Sequence, residues 1–223
     1  MRHHDPSIRS TSIRASNHEV IRTLVAPASP RGVALFVHAG GQTPHDQAIV
    51  QAVQARGVAT LRLDLVGAGD AGDTVEQVAD RIVDAIDWVR ADPELSQVPL
   101  GLFGGGRSAA ATLLAAARRP REVAAVVCSD GELELARDAL PRVRAAALFL
   151  VGGLDAAAVA LHRDAAARLA TPATLSVVAS AHRILDEPGA ADEATHLTAN
   201  WFASQFQIAF EAASRRGLGD PDC

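Results

Sequence analysis

VPLGLFGGGRSAAATLLAAARRP, residues 98–120, decides the fold. Its first six residues are almost all apolar, as befits a strand covered on both faces. Gly104, Gly105 and Gly106 follow, and residues 107–119 are an Ala-rich run that Pro120 ends as a helix. Strand, small-residue turn and helix form the frame of a nucleophile elbow, G-x-S-x-G, whose glycines let neighbouring backbone come close. The central position here holds Gly106 rather than Ser. A second register reads Gly106-Arg107-Ser108-Ala109-Ala110 as G-x-S-x-A, which makes Ser108 the nucleophile but needs a longer strand and a shorter helix. Otherwise Ser108 is a first-turn residue placed to satisfy a free N–H. A Walker A loop is excluded, because no Gly-Lys-Ser/Thr follows.

Working outward, the same alternation repeats on both sides. Residues 33–38 (VALFVH), 58–66 (VATLRLDLV), 123–128 (VAAVVC), 145–151 (AAALFLV) and 173–179 read as strands. Helices are expected from Thr43-Pro44 to Gly57, from the Thr74/Gln77 capping box to Asp92-Pro93, over 132–140, 156–170 and 190–213. Such alternation means a mostly parallel sheet with helices on both faces. Residues 8–26 lack helical period and suit two antiparallel edge strands. The domain expected spans 18–213, with 1–17 as a flexible leading segment and 214–223 as a disordered tail.

The 223 residues are 48% hydrophobic, enough for one core. The net charge of −5 shows no basic stripe for nucleic acid. No apolar run approaches the ~20 residues a bilayer needs, and the leading segment has no signal-peptide h-region. No membrane association and a cytoplasmic location are therefore expected. Cys128 and Cys223 make no disulfide framework, and Cys128, at the end of an apolar run, reads as a buried thiol.

In a parallel sheet, ligands bind beyond the carboxyl ends of the strands. His38-Ala39-Gly40-Gly41 is either an ordinary strand-to-helix turn or one that aims backbone N–H groups at an oxyanion. Asp155 either caps the next helix or orients a histidine. His182 lies in the loop after the last strand. The chain order elbow, acid, His is that of the α/β-hydrolase triad, so Asp155 and His182 are expected to form a hydrogen-bonded dyad. Gly67-Ala68-Gly69-Asp70-Ala71-Gly72 fits G-x-G-x-x-G, but Asp70 and Asp73 would repel a pyrophosphate. No cofactor or metal is expected.

From about residue 31 to 206 the chain resembles the dienelactone-hydrolase-like branch of the α/β-hydrolases. The resemblance rests on GVALFVHAGG, VATLRLDLVGAG, AIDWVRADP, the elbow segment, ALFLVGGLD, ASAHRILDEPGA and NWF. It implies an eight-stranded, mostly parallel sheet without a large lid domain and a Ser–Asp–His triad acting on esters or lactones. By position it makes Asp155 the acid, His182 the base and the N–H groups of Gly40 and Arg107 the oxyanion donors. The family's Ser falls on Gly106. Three functions are compatible with this pattern. They are weak or direct water-driven hydrolysis of a small ester or lactone, a non-catalytic pseudoenzyme binding a small molecule or partner, and a non-hydrolytic enzyme with His182 as general base. A homodimer is also compatible.

Overall fold

The computed structural model describes residues 7–15, 18–38, 44–64, 73–184 and 187–217. Eight strands form one sheet in the order β1-β2-β4-β3-β5-β6-β7-β8. The strands are β1 (Ser7–Ala15), β2 (His18–Ala26), β3 (Val33–His38), β4 (Ala59–Asp64), β5 (Leu100–Gly105), β6 (Val123–Ser129), β7 (Ala146–Gly152) and β8 (Ala173–Val178). β1 and β2 form an antiparallel hairpin, and β2 pairs antiparallel with β4. From β4 to β8 all pairing is parallel. The two antiparallel edge strands expected over residues 8–26 are β1 and β2, so residues 7–15, which also fell within the flexible leading segment expected, are the edge strand of the sheet. Nine consecutive residue pairs tie them to β2.

Among the described residues, five helices cover the faces: α1 (Pro44–Gln54), α2 (Val75–Ala91), α3 (Arg107–Arg118), α4 (Ala156–Arg168) and α5 (Pro188–Gly217). Successive strand residues point to opposite faces, so each central strand feeds two cores. Leu35, Leu102, Val126 and Phe149 pack with α2 and α3. Phe36, Phe103, Val127 and Leu150 pack with α1 and α5. On that second side Phe36, Phe103, Phe202 and Phe206 stack in a chain, with centroids 5.2–6.4 Å apart.

Two elements differ from the sequence reading. The helix expected over 132–140 is a pair of 3₁₀ turns, Leu133–Ala136 and Leu140–Arg142. Leu133, Ala136 and Ala139 are all buried, and that spacing of three fits 3.0 residues per turn rather than 3.6. The final helix runs to Gly217, four residues into the expected tail. The capping box is present as expected. Thr74 Oγ1 accepts from Gln77 N, and Thr74 N donates to Gln77 Oε1.

Candidate functional site at the carboxyl edge

The turn from β5 into α3 is built on Gly106. Its backbone lies at φ +54°, ψ −128°, in the left-handed half of the map that side chains rarely enter. An ideal Cβ built there meets no described atom within 4 Å, so the residue faces open space. Gly106 N donates to Ser129 O (3.1 Å), and Gly106 O accepts from Ala109 N (3.1 Å), closing the first turn of α3. Ser108 lies inside that turn, 2% exposed, its Oγ without a hydrogen-bond partner among the described residues. It neither faces the cleft nor satisfies a helix N–H. The Arg107 side chain is exposed and reaches Asp73 O at 3.5 Å. A cavity of about 420 Å³ opens beside it, lined by Asp73, Thr74, Glu76, Glu132 and Leu135 among others. Gly40 and the whole Gly67–Gly72 stretch lie outside the described residues.

The loops after β7 and β8 are laced together by backbone. Gly153 N donates to Val178 O (2.8 Å), and Leu154 N to Ala181 O (3.0 Å). Gly152 sits so close to the second loop that an added Cβ would lie 2.4 Å from His182 O. Asp155 and His182 therefore stand on adjoining loops of one edge, and both are exposed. Among the described residues no hydrogen bond joins the two side chains. The Asp155 carboxylate accepts from Ala158 N (3.0 Å), the N-cap bond of α4. The His182 backbone N–H donates to Glu187 Oε1 (2.8 Å), and the residue is exposed.

A second group at this edge carries no motif. Asp130 follows β6 and is the one non-glycine with positive φ (+46°) among the described residues. Its Oδ1 accepts from Gly152 N (3.1 Å) and its Oδ2 from Ile184 N (2.5 Å). Burial pulls its pKa up, against the downward pull of those two bonds, His162 and Arg183. Gly131 N donates to Nε2 of the buried His162 (3.3 Å), whose Nδ1 lies 2.8 Å from Ala158 O. Those contacts require the tautomer protonated at Nδ1, and burial lowers the His162 pKa, keeping the ring neutral. The signal available in the sequence was position alone, an Asp-Gly pair directly after an apolar strand at the functional edge. Cys128, one strand residue earlier on the opposite side from Ser129, is fully buried and its thiol is pushed strongly up in pKa by burial. Nothing marks it as a nucleophile.

No family model matches the chain. A solved dienelactone hydrolase from Anabaena variabilis is 31% identical, with a TM-score of 0.83, over 89% of this chain and 98% of that one. Est1E from Butyrivibrio proteoclasticus shares the fold at a TM-score of 0.77 and 12% identity, over 89% and 99% of the two chains. Two Mycobacterium tuberculosis proteins, provisionally named phosphoribosyl transferases, are each 31% identical over 208 residues. That match takes in 89% of this chain and 47% of theirs, so the chain spans about half the length of the curated relatives it matches. At 31% identity and a TM-score of 0.83 over nearly all of the Anabaena protein, this chain belongs to the dienelactone hydrolase family of α/β-hydrolases.

Proposed function

We propose that the chain hydrolyses a small ester or lactone without an acyl-enzyme, using water at the position where its family carries the nucleophilic Ser. The observation that carries this reading is Gly106. It has the strained turn of an elbow, φ +54°, and open space where a side chain would project. In this register the Ser is replaced by hydrogen, and the vacated CH₂OH volume suits about one water. His182 takes a proton from that water as its oxygen attacks the acyl carbon. The oxyanion is met by the N–H groups of Gly40 and Arg107. As the intermediate collapses and the acyl–oxygen bond breaks, the alkoxide leaves with the proton from His182. Asp155 turns to the ring on substrate binding, since catalytic hydrogen bonds in unliganded enzymes are often unformed and tighten later. General-base help is worth roughly 10²–10⁴-fold and a donor to the oxyanion roughly 10²–10³-fold, enough for activated esters and lactones but not for amides.

One observation favours a second reading. The Asp155 Oδ1 accepts the N-cap bond of α4, and among the described residues no hydrogen bond joins Asp155 to His182, as in a pseudo-hydrolase that only binds a small molecule in the old cleft. The transferase name of the longer relatives is not carried over, since this chain spans 47% of them and nearly all of a hydrolase.

Assays on a panel of aryl esters and lactones decide. His182→Ala is expected to abolish turnover. Gly106→Ser is expected to bring burst kinetics and labelling by a serine-directed fluorophosphonate, whereas the unaltered chain, with Ser108 buried, takes no label. Turnover unchanged in His182→Ala overturns the mechanism. A folded Gly106→Ser that gains nothing, in a chain without turnover, favours the binding reading.

A further inference from the structure

The turn at residues 129–132 touches the elbow and the loops after β7 and β8. Ser129 O takes the N–H of Gly106, and Glu132 N returns a bond to Gly106 O (3.3 Å), so the turn is fastened to the elbow on both sides. Asp130 N donates to Leu150 O (2.9 Å) on β7. Its carboxylate then spans two loops, Gly152 at the start of the one carrying Asp155 and Ile184 within the one carrying His182. Glu187 holds the two preceding N–H groups, His182 (2.8 Å) and Arg183 (3.4 Å). Three successive backbone donors, 182 to 184, thus end on two carboxylates, and Asp130 ties the last of them to the turn after β6. The strained φ of +46° aims its side chain at both loops. Behind it, His162 fixes Gly131 and keeps the turn from shifting along the sheet.

We propose that Asp130 is a positioning residue, whose carboxylate holds the His182 loop at a fixed distance from the Gly106 elbow. This rests on the reading of His182 as the general base. A carboxylate suits the task because each oxygen can accept one N–H and neither needs a donor in return. An Asn at the same place keeps the shape but has one acceptor oxygen, so either Gly152 or Ile184 loses its partner. A base displaced by about an ångström from its reacting water costs rate on the order of 10²-fold, even though binding contacts are intact.

The test is Asp130→Asn, with Asp130→Ala as the stronger variant if both fold. Amide hydrogen exchange is expected to speed at least ~10-fold at residues 182–184, with the amides of β3, β5 and β6 unchanged, because the opening is local. For the best aryl ester, kcat is expected to fall about 10–100-fold with KM held, a split that loss of folded protein or of substrate contacts does not give. Unchanged exchange at Ile184 overturns the proposal, as does a parallel rise at all amides. An unchanged kcat with faster local exchange also overturns it, since the loop then moves without consequence. If the unaltered chain hydrolyses nothing on the panel, the mechanism above fails, and the hold on the loop stands or falls on the exchange data alone.

Discussion

At Gly106 and Gly152 the same atom, a hydrogen in place of Cβ, serves opposite needs. Gly106 has φ +54° and empty space in front of it, so a methyl group there costs only the backbone strain of a left-handed residue, about 1–2 kcal/mol. At Gly152 a Cβ would meet the backbone carbonyl oxygens of His182 and Ala181 at 2.4 and 2.6 Å, which no rotamer change relieves. Gly152→Ala is therefore expected to push the His182 loop outward and destabilise by about 1–3 kcal/mol through overpacking. Urea unfolding of the two Ala variants, read with exchange at residues 181–184, separates them. Gly106→Ala should leave loop exchange unaltered, and Gly152→Ala should raise it.

Among the elements, α2 and α3 are joined on their outer faces by charges of very different consequence. Arg119 meets Asp87 through two bonds of 2.9 and 2.7 Å, and Arg118 meets Asp80 at 2.7 Å. All four side chains are at least a third exposed, and solvent screening limits each pair to less than about 1 kcal/mol. Arg90, in the last turn of α2, is different. Its guanidinium is partly buried and donates to the carbonyls of Leu95, Ser96, Val98 and Glu122 as well as to the Glu122 carboxylate. It fastens the whole turn that leads into β5, and through β5 the register of the elbow. Arg90→Ala is expected to cost about 2–3 kcal/mol, in the range of hydrogen bonds to charged groups, and Asp87→Asn under about 1 kcal/mol. Denaturant midpoints at unchanged m-value check the contrast. The charged residues of α2 and α3 were plain in the sequence. That Arg90 reaches four carbonyls was not, because three of them lie in a turn and the fourth across the sheet.

For the whole molecule, the buried His162 sets a pH dependence. It packs edge-on to Phe149, with Asp130 and Glu134 as the charges that face it and raise its pKa somewhat against the larger lowering by burial. The folded value lies below the usual 6.5, so the unfolded chain takes up a proton that the native state refuses. Stability from this group is full above 6.5 and is lost as pH falls from there through the folded pKa. Asp130 acts in the other direction. Its folded pKa is raised, so acid relieves a cost and cannot produce this loss. Thermal unfolding between pH 7.5 and 5 is expected to show falling stability in the unaltered chain and a flatter profile in His162→Gln. Equal slopes in both would place the loss elsewhere.

The sequence by itself determined the layers of this protein, because apolar runs of six residues alternating with amphipathic helices can be buried only as a sheet covered on both faces. It also located the elbow and the two loops of Asp155 and His182, since chemistry in such a sheet gathers at the carboxyl ends of the strands. Only the tertiary structure decided what those residues hold. Asp155 accepts through Oδ1 from the helix N–H of Ala158, three residues away. Asp130, which no motif marks, becomes the link between three loops because β6, β7 and β8 end side by side. A short-range spacing can be read along the chain. A carboxylate that satisfies donors 22 and 54 residues away exists only once the parallel strands have set their register.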